Sequence, residues 1–577
     1  MKTTIPIASL WRGVLGVIAF LSVLGAASAA DAAEDQTQKR FIRQSLQEFV
    51  KDQDKLDSLI LGVQVMKSRN NAPKDSVEYR TSWEYWGAIH GYTGESAPSP
   101  SGEPFGGTVE AWQEAFRQFD PDNAPLFAGF WAGLKNLTPP AQPPGVAQKT
   151  WATCEHFTPH FLSWHRTALY FFERVLREAS GDPNFALPYW DYTNDATDPV
   201  DPANSPWRFP LDFVFERDPS GTIENPLFER RRTFGLGFEV QLDPLRTNVD
   251  STLKLSNFYE FQQTLDGGVH GLIHCAVGNL CLAPYMGVIP FSANDPIFWV
   301  HHANIDRLWE CWTTRNGRDA NPTNDRDWMK KKFNFVNEKG DLVTMKVSEL
   351  FDPKGRIDYT YDNVSQCFRT EPPAETMAVA LQEAGEKSMS AQITKTPIAT
   401  MSEVEIDQID QEVPLAQSEE TRAHEAQLSA VQPSVVSPNK AVLRLKGVHA
   451  EKPPGASVSV FLTDHQGTSR EFVGVLSFFG QFGHSHTAHV SDHSHTAHVS
   501  DADKGRNVTF DVSAQLQTLL ADNPTGEGIR VVFVASSGLA GEAAAVEQKR
   551  YQEAGLRIRE ILLEVESGGG TPVNPGE

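Results

Sequence analysis

Basic residues are scarce in this 577-residue chain. Lys and Arg number 51 against 74 Asp and Glu, for a formal net charge of −23. A polyanionic partner would be repelled, which excludes nucleic acid and an anionic membrane surface as partners. Long hydrophobic runs are also missing beyond the first thirty residues, so no later segment reads as a membrane span. The five cysteines are too few for a disulfide scaffold, yet enough for one or two bridges in an oxidising compartment. Aromatic residues are absent from Arg369 to Val460, whereas twelve of the thirteen tryptophans lie between Trp83 and Trp328. A core needs large apolar side chains, so the first domain is expected to close near residue 368.

These gaps set an expected organisation. Residues 1–29 carry Lys2 and Arg12, an apolar run from Val14 to Leu24 and Ala27-Ser-Ala29, the pattern of a Sec-type signal peptide for a secreted or periplasmic protein. Residues 30–368 form the first domain. The Glu-, Gln-, Ser-, Ala- and Pro-rich stretch 369–439 reads as a flexible acidic linker. Residues 440–566 hold short runs that alternate in polarity, such as Ser457–Leu462 and Ile529–Val534, and predict an antiparallel β-sandwich. Residues 567–577 read as a disordered tail.

What the chain does have is histidine in two clusters. The first runs Cys154-Glu-His156-Phe-Thr-Pro-His160-Phe-Leu-Ser-Trp164-His165-Arg166. The second comprises His270-Gly-Leu-Ile-His274 and Asn294-Asp-Pro-Ile-Phe-Trp-Val-His301-His302-Ala-Asn-Ile-Asp306-Arg307. Imidazole suits copper, zinc and iron, and two clusters predict two metals. His270 and His274 share a helix face at four-residue spacing. His302 and Asp306 have the same spacing, which predicts the carboxylate as the acceptor that orients the His302 ring. His156 and His165 are nine apart, on opposite sides of any continuous helix. They can meet one metal only if His156 precedes the helix, and Pro159 supports a helix start there. The apolar stripe Leu162, Leu169, Phe172 and Leu176 shares a face with His165, as in bundles that build metal sites in their core. Few carboxylates stand at ligand positions, which argues against a di-zinc or di-iron hydrolase.

Phe161-Leu-Ser-Trp-His165-Arg and Asp295-Pro-Ile-Phe-Trp-Val-His301-His302-Ala-Asn-Ile-Asp306-Arg307-Leu-Trp309 resemble the copper-binding stretches of tyrosinases and polyphenol oxidases, the type 3 copper family, over roughly residues 40 to 368. Ile89-His90-Gly91 is similar to that family's first-ligand segment, and Tyr359-Thr-Tyr361 to the motif that closes its catalytic domain. The resemblance implies a mainly α catalytic domain, a four-helix bundle holding a binuclear copper site. Its cofactors would be two copper ions, with dioxygen as co-substrate and small phenols as substrates. One copper would take His90, His156 and His165, the other His270, His274 and His302. His301 would be a neighbour and His160 no ligand. Cys154 would form a thioether with His156. The other four cysteines, Cys275, Cys281, Cys311 and Cys367, leave their pairing open.

Three further residues bear on substrate choice by the same resemblance. Gly271 stands where strong monophenol hydroxylases have asparagine. Asp266 lies near where relatives place a glutamate that holds a water, and Ile289 where the family often has a residue flanking the site entrance. The expected activity is oxidation of o-diphenols to o-quinones, with weaker hydroxylation of monophenols. The alternative is hemocyanin-like dioxygen binding without turnover. The C-terminal domain resembles the shield of latent plant-type enzymes. Phe478, Phe479 and Phe482 fall in a loop of that domain. Each taken alone is expected to pack inside it, whereas latency needs one of them to enter the copper cavity. His484–Asp492 is repeated as His493–Asp501. This is expected to be a surface loop, with copper handling as the alternative.

Overall fold

The computed structural model describes residues 40–92, 114, 117, 143–194, 205–217, 221–229, 232, 241–278, 281, 285–352, 356–364, 367, 393–417, 439–464, 466–467, 469–480, 505–522, 528–540 and 546–568. The signal-like segment, the duplicated histidine repeat, Phe482 and the tail from 569 lie outside these residues. No helix among the described residues is long and apolar enough to cross a membrane.

The first domain is helical, as expected. Four long helical segments carry it: α1 (Gln53–Ser68), α3 (Phe161–Ser180), the run α4 (Phe258–Leu265) through α5 (Gly271–Val277), and α6 (Pro296–Asn316); the short α2 (Trp83–His90) lies between the first two in sequence. Local chemistry sets their ends. The Ser82 and Asn257 side chains accept backbone N–H bonds at the starts of α2 and α4. Asp295 does the same for α6, whose first residue is Pro296. α3 stops at Gly181, which takes the left-handed conformation (φ 70°) that glycine adopts without a steric penalty. Tryptophan and phenylalanine fill the space between helices. Phe172 stacks on Trp299 at 3.5 Å between ring centroids, and Phe261 on Trp312 at 4.8 Å.

Short strands close this domain. β1 (Phe41–Arg43) pairs in parallel with β4 (Tyr359–Tyr361), and β2 (Lys332–Val336) forms a hairpin with β3 (Leu342–Lys346). The β1–β4 pair brings Arg43, Tyr359 and Tyr361 onto Asp306, whose carboxylate also takes the Nε of Arg166 at 2.5 Å. Asp306 is therefore committed to two buried arginines and two phenols. His302 Nδ1 has no hydrogen-bond partner, so the expected Asp306–His302 pairing is not formed. Helical spacing permitted the contact, but cations from neighbouring elements outcompete a neutral imidazole for the carboxylate.

The C-terminal domain is an antiparallel β-sandwich, in line with expectation, but it begins earlier. β5 (Ile393–Glu405), β6 (Asp410–Pro414) and β7 (Ala416–Gln417) come from the segment read as a linker. They join β8 (Asn439–Val448), β9 (Ser457–Thr463), β10 (Arg470–Leu476), β11 (Arg506–Asp511), β12 (Arg530–Ser536) and β13 (Arg557–Gly568). One sheet has the order β10-β9-β12-β6, the other β11-β8-β13-β5-β7. β5 runs along β13 from Arg557↔Glu405 to Gly568↔Ile393, so the sheet is incomplete without it. A strand built from Thr, Ile, Ala and Val needs no aromatic residue, which is why composition concealed it. Residues 369–392 and 418–438 of the expected linker lie outside the described residues.

The two domains are packed together within one compact unit. Val475 and Leu539 of the sandwich belong to the apolar core of the helical domain. Thr264 and Thr509 exchange hydrogen bonds at 2.9 and 3.1 Å. Arg444 reaches Glu260 at 2.6 Å, Asp243 N–H donates to Gly538, and Ala540 N–H donates to Gln241.

Candidate metal centre and its cover

The fold gathers the two histidine clusters. His90 ends α2, His156 lies in the loop before α3, and His165 sits one turn into α3. His270 ends a π-helical turn, Asp266–His270, that joins α4 to α5. His274 lies on α5, and His301 and His302 lie on α6. Side-chain donor atoms of His90, Cys154, His156 and His165 fall within 4.8 Å of one another, as do those of His270, His274, His301 and His302. All of these residues are buried. The expectation that His156 precedes the helix holds, although Pro159 falls before the first turn because α3 starts at Phe161.

Hydrogen bonding fixes the rings. Nδ1 of His90 faces the Ile289 carbonyl at 2.9 Å, that of His165 the Phe161 carbonyl at 2.8 Å, that of His270 the Asp266 carbonyl at 3.0 Å and that of His274 the Met286 carbonyl at 2.8 Å. A carbonyl only accepts, so each Nδ1 carries the hydrogen and each Nε2 keeps its lone pair. His156 Nδ1 meets Asp266 Oδ1 at 3.3 Å. Nε2 atoms then turn toward each other: His90 to His156 at 3.2 Å, and His274 to His302 at 3.3 Å. Between His90 and His156, two lone pairs that close repel unless a cation lies among them. Burial holds His90, His165, His274, His301 and His302 well below the ordinary histidine pKa, so they are neutral, as metal ligation requires. A donor set of neutral nitrogens with one sulfur nearby suits copper.

The neighbouring residues are also placed. Tyr192 Oη lies 2.8 Å from His301 Nδ1. His160 stands apart, stacked on Trp328 at 5.7 Å, and burial lowers its pKa to about 4. Cys154 Sγ is 3.5 Å from His165 Nε2 and belongs to neither disulfide. Cys275 pairs with Cys281, and Cys311 with Cys367. Asp266 makes contacts through both carboxylate oxygens. Its Oδ1 lies 3.3 Å from His156 and 3.2 Å from His270, and its Oδ2 accepts the Phe157 N–H at 2.8 Å. Burial would raise the Asp266 pKa, but hydrogen bonds from the two imidazoles outweigh it and hold the carboxyl below its usual range.

Over this centre lies a loop of the C-terminal domain. Phe479 stacks on His274 at 4.0 Å with 11° between ring planes, and stands edge-on to His270 at 5.7 Å and His156 at 5.9 Å. It packs with Ile289 and Cys275 rather than with the sandwich core, whereas Phe478 does join that core. A Cβ placed on Gly271 would come within 2.5 Å of Ser477 Oγ and 3.2 Å of the Phe479 Cβ. Gly271 and Ile289 thus lie directly against this loop. Sequence singled out the phenylalanine group. Which ring turns inward depended on strand β10 ending at Leu476, and Asp266's double contact depended on the π-helical turn, which has no clear sequence signal.

Comparison with known proteins agrees with this geometry. The family profile for the common central domain of tyrosinase matches residues 80–248 and 238–315, and that for the polyphenol oxidase middle domain matches residues 323–373. A tyrosinase of Hahella sp. (strain CCB-MM4) is 27% identical over 503 residues, covering 82% of this chain and 91% of that protein. The latent form of a chloroplastic polyphenol oxidase from Prunus armeniaca is 27% identical over 311 residues, covering 47% of this chain and 49% of that one. Among solved structures, latent aurone synthase aligns with a TM-score of 0.52 at 16% identity, covering 93% of this chain and 91% of that chain. Latent apple tyrosinase aligns at 0.51 and 16% identity, covering 92% and 98%. These two likenesses establish the shared two-domain fold. With the profile matches, the relatives and two histidine clusters able to hold two copper ions, the chain belongs to the tyrosinase and polyphenol oxidase family of type 3 copper proteins.

Proposed function

We propose that this chain is a secreted copper oxidase, made latent, that converts o-diphenols to o-quinones at the expense of dioxygen. Two diphenols lose two electrons and two protons each, and one dioxygen becomes two waters. His90, His156 and His165 hold one copper, and His270, His274 and His302 the other. When bound, the copper pair supplies the electron exchange between phenol and dioxygen. The protein supplies buried imidazoles, those of His90, His156, His165, His270 and His274 with the Nδ1 hydrogen tied down. Cys154 joins the first cluster as a thioether partner of His156.

One observation carries the reading of latency and substrate together. An aromatic ring already lies flat on His274 and edge-on to His156 and His270, in the place a phenol ring would take. Phe479 therefore acts as an internal competitor. Monophenol hydroxylation is expected to be slow. Gly271 has no side chain to hold a water, and the Asp266 carboxylate is occupied by two imidazoles and a backbone N–H.

The test is quinone formation from catechol by the copper-loaded protein, before and after limited proteolysis. Activity that rises on trimming supports the reading. A copper-loaded protein that binds dioxygen but forms no quinone, trimmed or not, would instead be the hemocyanin-like carrier.

A further inference from the structure

Both histidine clusters converge on a single carboxylate. The donor atoms of His156, Asp266 and His270 lie within 4.8 Å of one another, and all three residues are buried. Asp266 Oδ1 is 3.3 Å from Nδ1 of His156 and 3.2 Å from Nδ1 of His270. The two rings are stacked, 5.3 Å apart at 28°. On the proposed ligand assignment, one ring belongs to each copper. The chain bends locally to make this possible. Over Asp266–His270 the chain kinks between two helices at Gly268, which leaves helical geometry (φ −110°, ψ −115°). On the other side, Phe157 takes a positive φ of 58°, unusual for a bulky residue, and its N–H donates to Asp266 Oδ2 at 2.8 Å.

We propose that Asp266 is a positioning residue for both halves of the centre, a clamp that fixes one imidazole of each copper and so sets the separation of the two metals. This rests on the proposed copper assignment, and it differs from a role in holding a water for phenol deprotonation. The anionic oxygen acts on both rings at once. It takes the Nδ1 hydrogen of His156 and shares that of His270 with the Asp266 main-chain carbonyl, so that each Nε2 faces inward, and its charge raises the donor strength of each Nε2. A shorter carboxylate than glutamate suits a clamp, because the π-helical turn already brings the backbone close to both rings.

The experiment is a chelator competition titration of copper(I) on the full chain, comparing wild type with Asp266→Asn and Asp266→Glu. The unfolding temperature of each metal-free protein is recorded alongside. Wild type should take up two coppers; if it takes up none, the copper assignment itself fails and the clamp was not at issue. Asp266→Asn keeps the size but loses the anionic acceptor, and should weaken both binding steps by about 10- to 100-fold each. Asp266→Glu keeps the charge, and provides the comparison should the Asn variant not fold. Its added methylene moves the oxygen out of the shared position, so both steps should again weaken, by less. Loaded instead with copper(II), either variant should also show an altered magnetic coupling between the two ions by magnetic susceptibility, which simple loss of stability would not produce. Weakening of a single step would overturn the clamp and leave Asp266 serving one metal. Unchanged binding in the Glu variant would overturn the need for the close bridge. A defect confined to monophenol turnover, with both steps intact, would return Asp266 to the water-holding role.

Discussion

Replacing Phe479 by alanine in the full-length chain tests the cover most directly. The ring is 2% exposed and lies in a small cluster with Ile289 and Cys275, outside the core of its own domain. Removing it should leave the sandwich folded and take away the group that fills the copper mouth. Full burial of a phenylalanine contributes about 1.5–3 kcal/mol, and a stacked aromatic contact adds about 0.5–1.5 kcal/mol. The closed state should therefore lose about 2–4.5 kcal/mol relative to the open one. At about 1.4 kcal/mol per tenfold, access to the site rises by roughly 30- to 1,600-fold.

The rest of the interface is untouched by this substitution: the Thr264–Thr509 pair, the Arg444–Glu260 bridge and the loop contacts to Gln241 and Asp243 all persist. The opening should thus be one phenyl ring wide. Catechol should be oxidised by the uncut variant at a rate near that of trimmed enzyme, while a diphenol carrying a bulky substituent should still need proteolysis. The assay is quinone formation per copper with both substrates, with thermal unfolding as a control. Phe478→Ala provides the contrast, because Phe478 packs in the sandwich core and its loss should lower stability by about 3–5 kcal/mol. If uncut Phe479→Ala is as slow on catechol as wild type, with the same copper content, the ring is not the plug.

Three other outcomes follow from the same geometry. His302→Ala should lose copper and oxidase activity, whereas His301→Ala, removing a ring held by Tyr192, should keep most of its copper by metal analysis; the reverse pattern would exchange their roles. Gly271→Asn should relieve latency in the uncut chain, since its Cβ would press on Ser477 and Phe479, and should raise the initial monophenol rate in trimmed protein; no change in either rate would remove Gly271 from both arguments. Glu260→Gln breaks the partly exposed bridges to Arg444 and Lys395, worth about 1 kcal/mol, so less protease or denaturant should activate it, and high salt should mimic the effect in wild type; equal thresholds would show that apolar contacts alone hold the cover.

The clusters were legible because ligand spacing is a local property. His270 and His274 share a face at one helical turn, and His156 could join His165 only from a preceding loop, so both followed from chain geometry. Asp306 shows where such reasoning stops. Its spacing from His302 was right, yet its partners Arg43, Tyr359 and Tyr361 arrive from elements 53 or more residues away in sequence, and buried cations take the carboxylate. Strands β5 to β7 were hidden for a different reason. Polar and small β-branched residues flank a stretch without aromatics, and only the long register with β13 makes β5 a strand. The gap in aromatic residues gave no sign of where the second core starts, because β5 to β7 lie inside it.

The cover and the metal centre meet on one short piece of chain, which has a thermodynamic consequence. Ser477 N–H donates to the Gly267 carbonyl at 2.8 Å, and the Val475 carbonyl crowds Gly268, both within the π-helical turn that carries Asp266 and His270. Thr264 just before the turn binds Thr509, and Gly271 just after it lies against Ser477. Arg506 of β11 also sits against Gly267, with none of its guanidinium nitrogens hydrogen-bonded. Burying that cation is costly, and it offsets part of what the apolar contacts between the two domains contribute. Any strain placed on the turn by the cover is felt by His270 and Asp266, and any ordering of His270 by copper is felt by the cover. Coupling between two binding events is reciprocal. To whatever extent docking of the sandwich favours the ligand geometry of this turn, copper loading must tighten the docking by the same factor.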